Sequence, residues 1–267
     1  MLYGAKNGAV KIDGADMHYI TYGTGKRVLI ILPGLGDGLR MVKGAAVPFA
    51  YSYRIFARDY KVYVFSRRDP IQEPCTFDQM AEDIKLAMDK LNIGIADFLG
   101  VSMGGMIAQR FAYMYPERLG KLVLAVTAIG CGETLRPALD TWMEMAEQGD
   151  YRALMIDTAE MMYTGSYLKL MRIGYPFLSL MKPNSYRRFL TMCRSIIEAD
   201  KGAPVEQISA STLIIGADQD KVAGVESSYE LARRIPGAKM YIFRGYGHGV
   251  YDETEDFKKV VADFLKR

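Results

Sequence analysis

Short apolar runs alternate with amphipathic stretches along most of this chain, and that alternation admits few folds. The runs at residues 10–12, 17–22 and 28–32 (VLIIL) have strand character, the first two as a pair and the third as a buried strand. A loop, PGLGDG, follows. Next come a helical stretch at 47–59, a strand at 62–65, and a helix at 77–91 with Met80, Ile84, Ala87, Met88 and Leu91 on one face. A strand at 96–101, a helix at 103–115 closed by Pro116, and a strand at 122–127 continue the rhythm. After a break it resumes with a strand at 212–216, a helix at 225–235, a strand at 239–243 and a helix at 253–266. Such alternation predicts an α/β fold, a mainly parallel sheet with helices on both faces.

The break spans residues 132–207, where no strand pattern occurs and stretches rich in Met, Tyr and Leu are interrupted by Gly149, Gly165, Pro176 and Pro183. It reads as a helical insertion into one core domain made of residues 1–131 and 208–267. No internal repeat or polar linker marks a second independent domain. With 267 residues, half of them hydrophobic, the chain can bury one large core.

Thirty-four basic and 31 acidic residues leave a formal charge of +3, too little to imply a nucleic-acid partner. No apolar run approaches the roughly 18 to 20 residues of a membrane-spanning helix. Cys75, Cys131 and Cys193 are odd in number and in no metal-ligand or redox spacing, so they read as reduced core thiols. The amino terminus, MLYGAKNGAVKIDGADMHY, has no secretory-signal pattern, and a cytoplasmic location is expected.

Gly100-Val101-Ser102-Met103-Gly104-Gly105 falls between the strand ADFLGV and the helix GGMIAQRFAYMY. A Gly-x-Ser-x-Gly match alone is weak; its position at a strand-to-helix turn gives it weight. A serine there is forced into a strained backbone, and Gly100 and Gly104 satisfy the need for small residues where strand and helix close on each other. The competing reading is an ordinary glycine-rich turn or phosphate cradle.

A serine hydroxyl is a weak nucleophile at its own pKa and needs a base, usually an imidazole oriented by a carboxylate. Of the two histidines, His18 sits in the early strand DMHYITY and reads as structural. His248 sits in GYGHGVY, between the last strand and the last helix, where catalytic loops of a parallel sheet gather. The acid should follow the strand STLIIG, where Asp220 and Asp218 compete; Lys221-Val222 favours Asp220, and the loser is a turn aspartate.

The order Ser102, Asp220, His248 resembles the α/β-hydrolase superfamily over nearly the whole chain, through VLIILPGLGDG, GVSMGGMIAQ, KLVLAV, IIGADQDKV and GYGHG. MIAQRFAYMYPERLGKLVLAVT is most similar to the lidded esterase, enol-lactonase and aminopeptidase-like branch. The resemblance implies a serine hydrolase acting through an acyl-enzyme, with the backbone amides of Leu35 and Met103 as the oxyanion hole and Gly34 as a supporting glycine. Pro33-Gly34 replaces the usual His-Gly pair, and RRDPIQEP follows VYVFS where many relatives carry Asp-x-Arg-Gly-x-Gly-x-Ser.

The insertion lies where lids occur in that superfamily. Its Met143, Met155, Met161, Met162, Met171, Met181 and Met192, with Trp142, Tyr163 and Phe177, either line an apolar acyl pocket or pack the helices together, the latter being the default for any one residue. The expected partner is a small apolar acyl substrate; no cofactor or metal is expected. Thioester, lactone, amino-terminal peptide and carbon–carbon bond hydrolysis are alternatives on the same triad, and a non-catalytic ligand receptor is the alternative outside enzymes. For an amino-terminal peptidase, Glu144, Glu147 and Glu160 are the candidate partners of the substrate's amino group.

Overall fold

A computed structural model describes residues 2–199 and 202–266; Met1, Asp200, Lys201 and Arg267 fall outside the description. The apolar runs become β1 (Lys6–Ile12), β2 (Ala15–Tyr22), β3 (Arg27–Leu32), β4 (Tyr60–Asp69), β5 (Ala96–Val101), β6 (Leu119–Ala125), β7 (Thr212–Ala217) and β8 (Lys239–Phe243). They form one sheet in the order β1-β2-β4-β3-β5-β6-β7-β8. β1 and β2 are antiparallel, β2 runs antiparallel to β4, and from β4 to β8 every pairing is parallel. Asp13 and Gly14 join β1 to β2 with φ of +48° and +83°. Two left-handed residues match the strands' own twist, which is why Asp-Gly serves here.

The helices are α1 (Ala46–Ser52), α2 (Phe77–Lys90), α3 (Met103–Met114), α4 (Leu135–Glu147), α5 (Tyr151–Met162), α6 (Gly165–Gly174), α7 (Arg187–Glu198), α8 (Val225–Arg234), α9 (Val250–Glu253) and α10 (Glu255–Lys266). Side chains alternate across a strand, so β3 feeds two apolar layers. Ile30 and Leu32 pack with Met80 and Ile84 of α2 and Ile107 and Phe111 of α3. Leu29 and Ile31 pack with Phe257 and Val261 of α10 on the other side. α4 to α7 lie between β6 and β7, and their Leu139, Trp142, Leu154, Phe189 and Met192 join the α2/α3 layer.

Several boundaries depart from the sequence reading: β1 begins at Lys6 rather than Val10, α1 ends at Ser52 rather than near Asp59, and three more differ as follows. The strand expected at 62–65 runs from Tyr60 to Asp69 and carries two buried guanidinium groups. Arg67 is held through Asp37 and the Pro33 carbonyl, and Arg68 is paired with Asp83 of α2. Charged residues with distant partners do not read as strand, so the end of β4 was hidden. The strand expected to begin at Leu122 begins at Leu119. The last helix is split at Thr254, whose backbone is extended and whose hydroxyl accepts from Asp256 N at 3.2 Å, capping α10.

Asp37, from the loop PGLGDG, is buried and gathers the network behind β3. Its carboxylate accepts from Ser66 Oγ (2.5 Å), Arg67 N (3.0 Å) and Arg188 Nη2 of α7 (2.7 Å). Asp37→Asn leaves the buried Arg67 and the partly buried Arg188 without their carboxylate, and the expected loss is about 3–5 kcal/mol of unfolding free energy. Urea denaturation followed by circular dichroism measures it; a loss under about 1 kcal/mol would show that the network is solvated rather than buried.

Candidate active site

Ser102 ends β5 and caps α3 with φ +52° and ψ −123°, a conformation costly for any residue with a Cβ. Neighbouring geometry enforces it. A Cβ on Gly100 would lie 2.6 Å from Gly105 Cα, and one on Gly104 would overlap the Leu32 carbonyl, so no larger residue fits where β5 and α3 meet. Thr127 Oγ1 donates to the Ser102 carbonyl at 2.7 Å and braces the turn from β6's far end.

His248 is 3 % exposed, and its Nδ1 lies 2.9 Å from Asp220 Oδ2. The other Asp220 oxygen accepts from the amides of Val222 (2.8 Å) and Ala223 (2.9 Å). Burial pushes the Asp220 pKa up, but the imidazole and those two amides outweigh it and hold the carboxyl below its ordinary value. Asp218 faces solvent two residues earlier and accepts from Gly245 N at 2.7 Å, steadying the loop rather than meeting the ring. His18 stands half-buried on β2 opposite Ala9, far from this cluster in the sheet order.

Ser102 and His248 line one cavity of about 580 Å³ at the carboxyl ends of the parallel strands. Leu35 and Met103 line it too, each the first residue of a helical turn, where the amide has no intrahelical acceptor. A Cβ on Gly34 would stand 3.2 Å from Ser102 Cβ, so the Pro33-Gly34 loop lies directly against the serine. Two unspent amides beside a serine hydroxyl can stabilise an oxyanion.

The insertion contributes Trp142, Met155, Met162 and Tyr163 to the cavity wall. Met143, Met161 and Met192 pack into the core instead, and Phe177 and Met181 are exposed. Its helices grip the site at two points. The Met162 carbonyl accepts from Gly249 N at 2.7 Å, and Thr164 Oγ1 is within 2.7 Å of Glu253 Oε2, so the end of α5 clasps the His248 loop. At the other side Arg188 binds Asp37 and the carbonyls of Arg67 and Arg68, tying α7 to the loop that carries Leu35.

A family profile described as "alpha/beta hydrolase fold" matches residues 27–255. The chain belongs to the α/β-hydrolase family. As a hydrolase it is similar to "3-oxoadipate enol-lactonase 2" of Acinetobacter baylyi, 24% identical over 94% of this chain and 93% of the relative. It is also similar to a "2-hydroxy-6-oxononadienedioate/2-hydroxy-6-oxononatrienedioate hydrolase" of Paraburkholderia xenovorans, 26% identical over 95% of this chain and 92% of the relative. A solved α/β-hydrolase enzyme from a Medee basin deep-sea metagenome library superposes with TM-score 0.86 at 22% identity, covering 97% of this chain and 98% of that one.

Two features of this hydrolase escaped the sequence reading. Asp37, Arg67 and Arg188 buttress the loop around Leu35, yet they lie 30 and more residues apart and share no motif. Asp252, four residues past His248, lines the cavity, whereas Glu144, Glu147 and Glu160 do not. Its position one helical turn beyond the histidine was the available signal.

Proposed function

We propose that this hydrolase cleaves a carboxylic ester or related acyl bond through an acyl-enzyme on Ser102. His248 takes the Ser102 proton as the hydroxyl attacks the acyl carbon, and Asp220 fixes the ring's tautomer and balances the imidazolium. The Leu35 and Met103 amides hold the oxyanion, and water releases the acyl group in the second half-reaction. The observation that carries this reading is the convergence of a left-handed Ser102 and an Asp220-bound His248 on one cavity. Residues 132–207 act as a lid over the core domain of 1–131 and 208–267, with an apolar pocket for a small acyl substrate. The buried thiols of Cys75 and Cys193 support a reducing, cytoplasmic setting.

A fluorophosphonate probe tests the nucleophile. The expected result is stoichiometric labelling, with the adduct mass on the peptide carrying Ser102; labelling elsewhere, or none, overturns the reading and favours a receptor that keeps only the fold. Carbon–carbon bond hydrolysis is the second reading, supported by the relative from Paraburkholderia xenovorans. It needs a carbanionic leaving group to be protonated, so turnover of a vinylogous diketone in preference to p-nitrophenyl esters would select it.

A further inference from the structure

The cavity is mostly apolar, with Met103, Met106, Leu135 and Leu139 among its walls, and its charged lining is two carboxylates, Asp37 and Asp252, with Arg40 on the Asp37 loop. Asp37 is bound by Arg188 and buried. Asp252 is different: its side chain reaches the cavity surface, its Oδ2 accepts from the Tyr163 hydroxyl at 3.0 Å, and the surrounding burial pushes its carboxyl above the ordinary carboxylate value. Among the described residues no cation pairs with it. The buried Lys258 makes no ion pair with it and acts on its charge only from a distance, its Nζ bonded to Glu255 at 2.7 Å and 5.3 Å from the Tyr53 ring centre. Glu253, the next residue, is occupied by Thr164.

Aromatic rings share the cavity with this carboxylate. Phe49, Tyr53, Tyr163 and Tyr251 line the same cavity, and Phe49 stacks on Tyr53 with centroids 4.5 Å apart. Burial first, and then the Asp252 charge, push the phenols of Tyr53, Tyr163 and Tyr251 upward. Ring faces attract cations, and a carboxylate whose only direct donor is neutral is balanced only in part by the more distant Lys258 ammonium. A carboxylate-bearing group would be repelled there.

We infer that the corner formed by Asp252, Phe49, Tyr53, Tyr163 and Tyr251 is a subsite for an ammonium group carried by the substrate. The inference rests on the acyl-hydrolase reading and names its substrate class: esters bearing a quaternary or protonated amine.

The probes are the p-nitrophenyl esters of 4-(trimethylammonio)butyrate and of its uncharged carbon isostere, 5,5-dimethylhexanoate. The expected result is a preference of roughly tenfold in kcat/KM for the charged ester, carried by KM and reduced by 0.5 M salt. Asp252→Asn should bring the ratio of the two esters near one, while Asp256→Asn, which removes the same charge outside the cavity, should leave the ratio intact. Calorimetric binding of both esters to the Ser102→Ala protein supplies a readout free of turnover. Equal binding and equal rates, preference for the uncharged isostere, or an unchanged ratio in Asp252→Asn would each overturn the subsite. Loss of the nucleophile reading looks different: there, Ser102→Ala would still hydrolyse the uncharged ester.

Discussion

Ser102→Ala should lower kcat/KM for p-nitrophenyl acyl esters by about 10⁴-fold or more, leaving the slow turnover that oxyanion donors and binding supply on their own. The folded state should be untouched, because alanine keeps the Cβ and inherits the same left-handed backbone. Ser102→Gly separates strain from chemistry. Glycine adopts φ +52° without penalty, so this variant should be equally inactive but more stable by about 1 kcal/mol. Steady-state rates and urea midpoints on the three proteins test both halves. Turnover surviving in Ser102→Ala would remove the nucleophile assignment, and no gain in Ser102→Gly would show that the turn stores no strain.

The second large effect belongs to the acid. Asp220→Asn should cost about 10⁴-fold in kcat, since an amide favours the wrong imidazole tautomer and cannot balance the imidazolium. Asp218→Asn should stay within about threefold, because its carboxylate meets Gly245 N and not the ring. Equal losses in the two variants would undo the choice between them. The Asp220 carboxyl is held below its ordinary value in the folded protein, so its ionised form contributes stability that is fully present above the unfolded pKa. That contribution is lost as the pH falls through the depressed folded value. The stability gap between wild type and Asp220→Asn should hold from neutral pH down to about pH 4 and close only below it.

Strand and helix alternation was legible because the central parallel strands β3, β5, β6 and β7 are mostly buried and read as continuous apolar runs. The bounds of β5 and β8 could be read to the residue, whereas β4 could not, since Arg67 and Arg68 are made compatible with a buried strand only by Asp37 and Asp83 elsewhere in the chain. The same limit governs the site. Ser102 and His248 advertise themselves through glycine-rich turns, local features that a sequence displays directly. The choice between Asp218 and Asp220 depends on which carboxylate the loop turns inward, and two aspartates in one turn look alike on paper. The fate of the insertion's methionines was equally hidden: Met155 and Met162 face the cavity while Met143 and Met161 pack into the core, a matter of helix rotation.

The insertion is fastened to the core at the backbone of the histidine loop through Met162 and Thr164, and at the Asp37 loop through Arg188. It is therefore not a detachable module. Transplanting residues 132–207 from another hydrolase, in the hope of importing its substrate range, would also replace the struts that hold the His248 loop and the loop carrying the proposed oxyanion amide of Leu35. Chimaeras should lose rate together with selectivity unless the contacts of Thr164 and Arg188 travel with the graft, so on the proposed mechanism evolution of substrate range is coupled to upkeep of the Ser102 and His248 surroundings.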